Sequence, residues 1–212
     1  MEFEQLLELV GSEPVFETAL LLAGNVNPNL VRQQISRWVK SGRVYQLRRG
    51  LYALAPPYQK IKPHPFLIAN HLQRASYVSA QSVLAFYGLI PDTVHATRSV
   101  TTGRSEQLNT PLGVFEFRHI KPELLSGYQM TDLGGQHALI ATPEKALLDL
   151  VYLQPGGDSP EYLLELRLQN LERLNKDRLY RLAEIFNMLK LHRAVKTILS
   201  LAKDEADEYT VL

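Results

Sequence analysis

Asn29, Arg32, Gln33, Ser36, Arg37 and Lys40 recur at spacings that line one side of a helix, while Val31, Ile35, Trp38 and Val39 line the other. Those polar types carry a definite chemistry. Arginine donates paired hydrogen bonds to guanine O6 and N7, asparagine and glutamine pair with adenine, and serine and lysine hold phosphate oxygens. Arg48 and Arg49 follow in "RRG", at the tip of a short hairpin. In helix-turn-helix docking the amino-terminal half of the second helix meets the base edges. That geometry nominates Asn29, Arg32, Gln33 and Ser36 as readers of sequence and Arg37 and Lys40 as backbone contacts. Arg48 and Arg49 then reach an adjacent phosphate or minor groove. Many solvated helix faces carry the same residue types, so the reading rests on the agreement of charge, cap, turn and hairpin.

The elements that must position these side chains are legible around them. "VFETALLLAG" reads as a helix closed by Gly24. Asn27 caps a further helix with Pro28 at its first position, which runs to about Lys40 and stops at Gly42. "RVYQL" and "LYAL" alternate with period two around "RRG" as a hairpin. Preceded by a short helix over 2–10, this is the order of a winged helix-turn-helix. Trp38 and Tyr52 are expected in the core that joins helix to wing. "APPYQKIKPHP" reads as a stiff linker, with a boundary near residue 62.

Charge singles out the same third of the chain. The protein carries 23 basic and 22 acidic residues, yet no acid occurs between Thr18 and Pro91. A carboxylate facing phosphates is repelled, so this stretch suits a polyanion. The chain has no cysteine, which removes disulfides and thiolate metal sites. The acidic amino terminus does not read as a signal peptide and no apolar run is long enough for a membrane span, so a cytoplasmic protein is expected.

Beyond residue 62, Pro65 to Arg74 reads as helix, and "YVSAQSVLAFYGL" as a strand end leading into a helix capped by Ser79. "TVHATRSVTT", "GVFEFRHI" and "HALIA" are rich in strand formers. "ATPEKALLDLVYL" starts a helix with Thr142 as cap and Pro143 at its first position, and Ser159-Pro160-Glu161 repeats the device. Leucine-rich helices follow, with breaks near Asn175 and Lys190 and a frayed tail "DEADEYTVL".

Other groupings point weakly to chemistry. Pro91-Asp92 and Glu116-Phe117-Arg118 have the outline of a Mg²⁺-dependent, restriction-type nuclease, but Arg118 stands where a lysine would assist the attacking water. The plainer reading makes Asp92 a turn residue and Glu116 a solvent-facing strand residue. The six histidines never fall at the i, i+4 spacing of helical metal ligands. Glu144 is expected to favour its helix dipole and Asp149 to fix a neighbouring loop. The mixed charges of the last helices read as a solvated face, with Arg178 and Arg181 the candidates for any second nucleic-acid surface.

"VRQQISRWVKSGRVYQLRRGLYAL" resembles the amino-terminal winged helix of the AbiE-type antitoxins of type IV bacterial toxin–antitoxin systems, through Gly42, Arg48, Gly50 and Tyr52. "YVSAQSVLAFYGL" and "ATPEKALLDLVYL" match the family's second domain in order and spacing, so the resemblance covers about residues 14–153. Tyr87 stands where many relatives carry histidine. With the elements read above, an α+β protein is expected: a winged helix-turn-helix over 1–62, an α/β effector domain over 63–155 and, from helices after residue 156 that match no motif of the family, a helical extension over 156–205. The resemblance implies a repressor that binds inverted repeats of double-stranded DNA in its own promoter; from the residues themselves neither an enzyme nor a cofactor is expected. The resemblance further implies that the protein counters a nucleotidyltransferase-like toxin without a stable complex. The alternatives are the targeted nuclease above, a stand-alone regulator with no toxin, and a winged helix that binds protein only.

Overall fold

The computed structural model describes residues 1–23, 26–91 and 94–210, with side chains through residue 205. The chain is mixed α+β. Helix α1 (Phe3–Val10) opens on a reciprocal capping box in which Gln5 Oε1 accepts from the Glu2 amide at 2.8 Å. It ends at Gly11, where any Cβ would lie 2.3 Å from the Leu7 carbonyl oxygen. Strand β1 (Phe16–Glu17) and the four-residue helix α2 (Thr18–Leu21) follow. Here the expected single helix over "VFETALLLAG" is corrected. Phe16 and Glu17 pair with Tyr52 and Leu51, so a distant strand partner overrides local helix preference. Gly24, its expected stop, lies outside the described residues.

Helix α3 (Pro28–Lys40) begins as its sequence dictates: Asn27 Oδ1 accepts from the Asn29 amide at 2.9 Å and Pro28 occupies the first turn. Val31, Ile35 and Trp38 are buried, while Val39 is only half-buried. Gly42, at φ +71°, turns the chain into β2 (Val44–Arg48), which pairs with β3 (Leu51–Leu54) across Arg49–Gly50. The three strands are antiparallel in the order β1-β3-β2. The expected alternation fails in β3, whose four residues are all buried. Tyr52 and Leu54 join a cluster with Phe3, Leu6, Phe16, Ile35 and Trp38, while Leu51 and Ala53 join the larger core built by the rest of the chain.

The proline-rich segment leads to α4 (Pro65–Leu72). Gln136 pins it, donating to the Lys62 carbonyl at 3.0 Å and accepting from the His64 amide at 2.8 Å. After β4 (Ser76–Val78) and α5 (Ala80–Phe86) come β5 (Ala96–Thr101), β6 (Glu106–Thr110), β7 (Gly113–His119), β8 (Tyr128–Asp132) and β9 (His137–Ala141). These form a six-stranded mixed sheet in the order β6-β7-β5-β4-β9-β8. The three expected β-rich stretches supply β5, β7 and β9; β6 and β8 are additional. Both are sheet edges of polar sequence and partial exposure, so they lack the apolar pattern that marks a strand.

Helices α6 (Pro143–Leu153) and α7 (Pro160–Glu165) are capped by Thr142 and Ser159 as read. Asn175 caps α8 (Lys176–Phe186), and the next break, expected near Lys190, falls three residues before it at Asn187, a left-handed residue. Of the tail "DEADEYTVL", residues 204–210 form the end of α9 (Leu189–Thr210), and residues 211–212 lie outside the described residues. Glu205 in α9 accepts from the amides of Asn170 and Leu171 at 2.8 and 3.0 Å. Among the described residues no helix is long and apolar enough to cross a membrane.

Candidate nucleic-acid interface

Three buried side chains hold α3 down, and the period of the helix then fixes what points outward. Asn29, Arg32, Gln33, Ser36, Arg37 and Lys40 are all exposed. Arg32 Nη1 reaches Asn29 Oδ1 at 3.5 Å and Arg37 Nη1 reaches Gln34 Oε1 at 3.4 Å, both long contacts within the helix. The side chains of Gln33, Ser36 and Lys40 make no hydrogen bond or ion pair with any described residue. Trp38 anchors the helix edge-on to Phe3 at 5.5 Å, and Arg43 covers the same Phe3 ring at 5.0 Å.

Arg48 and Arg49 are exposed at the hairpin tip, held by Gly50 at φ +86°, whose carbonyl accepts from the Thr18 amide at 2.9 Å. The length of β2, roughly 16 Å for five residues, separates this tip from the end of α3. The structure therefore brings six of the eight candidates onto one helix and sets the other two at the far end of a strand. A single ligand touching both sets is extended. Glu17 neighbours the tip, and Arg74 engages it at 2.6 Å. The Arg74 hydrogen bond, with help from the charges of Arg74, His71 and Arg48, holds the Glu17 carboxyl below its ordinary range.

Sequence reading missed Leu30. It is 63% exposed in the first turn of α3, at the margin of the polar arc beside Arg37. Its signal was available: a leucine out of phase with the stripe of Val31, Ile35 and Trp38.

The other constellations resolve differently. Glu116 pairs with Arg98 at 3.0 Å across β7 and β5 and is half-buried rather than solvent-facing. Asp92 lies outside the described residues. Among the described residues no group of three or more histidines and carboxylates could hold a metal ion. Glu144 is buried, accepting from the Asn175 amide at 2.8 Å and Arg178 Nη1 at 3.5 Å, so it ties α6 to α8. Arg178, itself exposed, reaches Glu144 at that distance, and Arg181 is exposed as well.

The group least visible in the sequence is an ion pair inside the core. Lys145 and Asp149, one turn apart on α6, are both fully buried and bonded to each other. Asp149 Oδ2 also accepts from Tyr77 Oη at 3.0 Å and Ser79 Oγ at 2.7 Å. Ser79 thus spends its hydroxyl on Asp149 instead of capping α5, and Ala80 follows it at φ +51°. Lys145 Nζ lies 4.6 Å from the centre of the Phe186 ring. Burial pulls the Lys145 pKa down and pushes those of Asp149 and Tyr77 up, and the mutual attraction of Lys145 and Asp149 opposes their two shifts. Asp149 holds the β4–α5 junction, the neighbouring loop it was expected to fix.

No protein-family model matches the chain, and no curated protein matches it.

Proposed function

We propose that residues 1–62 act as a winged helix-turn-helix and that the chain is a sequence-specific, DNA-binding repressor of the AbiE antitoxin type. In this reading α3 enters a major groove. Asn29, Arg32, Gln33 and Ser36 meet base edges, Arg37 and Lys40 meet phosphates, and Arg48 and Arg49 reach the flanking backbone or minor groove. Occupying inverted repeats in its own promoter, the protein blocks transcription. The part beyond residue 62 counters a nucleotidyltransferase-like toxin without a stable complex.

One observation carries the reading: a helix anchored by three buried residues presents an exposed arc of amides and cations, within an acid-free stretch that holds nine basic residues between Thr18 and Pro91. The backbone that carries these side chains is held rigid before binding, so the ordering cost left is that of the side chains themselves. Titration of the protein onto its own upstream DNA and onto scrambled DNA, at two salt concentrations, tests it. Tighter binding to the upstream fragment is expected, with log K falling against log salt at a slope of about −5 if six basic side chains neutralise phosphates. Equal, weak binding to both fragments would overturn it.

A further inference from the structure

Leu30 is, among the described residues of α3, the one large apolar side chain left exposed, and its place makes that exposure informative. At 100° per residue it lies about 20° from Arg37 and about 60° from Gln33, at the margin of the polar arc, and about 80° from Trp38, the nearest of the buried stripe. Its sequence neighbours on the exposed surface are Asn29 and Gln33, and no carboxylate occurs nearer in sequence than Glu17. An exposed leucine among amides and cations, in the turn that meets base edges, has one complementary apolar feature in a major groove: the C5 methyl of thymine. We infer that Leu30 is a specificity-determining residue that reads a thymine through its methyl group. This rests on the reading of α3 as the helix that enters the groove. Charge favours DNA over a protein partner here, since residues 27–54 carry six basic residues and no acid.

The test separates the two layers. A preferred site is selected from random duplexes, and each thymine in it is then replaced singly by deoxyuridine, which removes only the methyl. Binding is measured by anisotropy for the wild type, Leu30→Ala and Leu30→Met. Losing contact with one buried methyl corresponds to about a fourfold weakening. The wild type and Leu30→Met are expected to show that loss at one thymine per half-site. Leu30→Ala is expected to bind the two duplexes alike while keeping the wild-type salt slope and melting temperature. A selected site with no thymine at which Leu30→Ala erases discrimination overturns the role of Leu30 and leaves DNA binding intact. So does a change in association state of Leu30→Ala in sedimentation, which would place Leu30 in a protein contact. Failure to select any site overturns the DNA-binding reading itself, and this inference with it.

Discussion

Arg32 and Arg49 carry the same charge but, under the proposed DNA-binding reading, have different work. In that reading Arg32 sits on α3 beside Asn29, where a planar fork would meet a base edge, while Arg49 sits in a two-residue turn where no described residue bonds its side chain. Arg32→Ala is expected to cost about 1–3 kcal/mol on the preferred site and to relax choice at one base pair, whereas Arg49→Ala weakens all duplexes alike. Equal losses for Arg32→Ala on specific and random DNA would remove it from the readers. The buried pair is a second residue-scale matter. Asp149→Ala leaves the Lys145 ammonium and the Tyr77 and Ser79 hydroxyls without their acceptor. It is expected to cost about 3–5 kcal/mol in urea unfolding. Lys145→Met introduced into Asp149→Ala should recover part of that loss, because the uncompensated charge goes with the lysine.

At the scale of elements, α4 depends on an unusual cap. His64 Nδ1 accepts from the Phe66 amide at 3.1 Å, and only an unprotonated ring nitrogen can do so. Burial lowers the His64 pKa below its ordinary 6.5, and it does the same to His71 near the end of α4. The unfolded chain therefore takes up these protons first as pH falls. The stabilisation is complete above about pH 6.5 and is lost as the pH drops through the depressed folded values. The melting temperature should fall between pH 7.5 and 5.5. His64→Asn keeps an acceptor that does not titrate and should flatten the part due to the cap, about 1 kcal/mol. An unchanged pH profile in His64→Asn would show that the cap does not titrate.

The molecule as a whole is joined through β3. Its two faces belong to different apolar clusters, one around Trp38 and the other in the core behind the six-stranded sheet. A strand buried on both faces couples what packs on each side. Leu51→Ala is expected to cost about 2–5 kcal/mol and to lower one calorimetric transition for the entire chain. Two separated transitions in the wild type would show that the shared strand does not couple them. The Arg74–Glu17 bridge spans the same junction, but both partners are solvated and it adds little.

What the amino-acid order determined by itself is local. Asn27-Pro28, Thr142-Pro143, Ser159-Pro160 and Asn175 each set a helix start, because a first-turn amide finds its acceptor within three residues. The exposed arc of α3 was equally legible, since 3.6-residue periodicity sorts side chains without reference to the rest of the chain. The tertiary structure alone decided the features whose partners lie far away. Phe16–Glu17 became a strand because β3 passes beside it, some 35 residues on. Strands β6 and β8 exist because sheet edges offered hydrogen bonds to polar segments. Lys145 entered the core because Asp149 accompanies it on α6, and that carboxylate is satisfied in turn by Tyr77 and Ser79, some 70 residues away. The physical reason is common to all three. A cap or a stripe is satisfied within a turn or two of helix, whereas ladder hydrogen bonds, double burial and buried charge are satisfied only by groups that folding brings near.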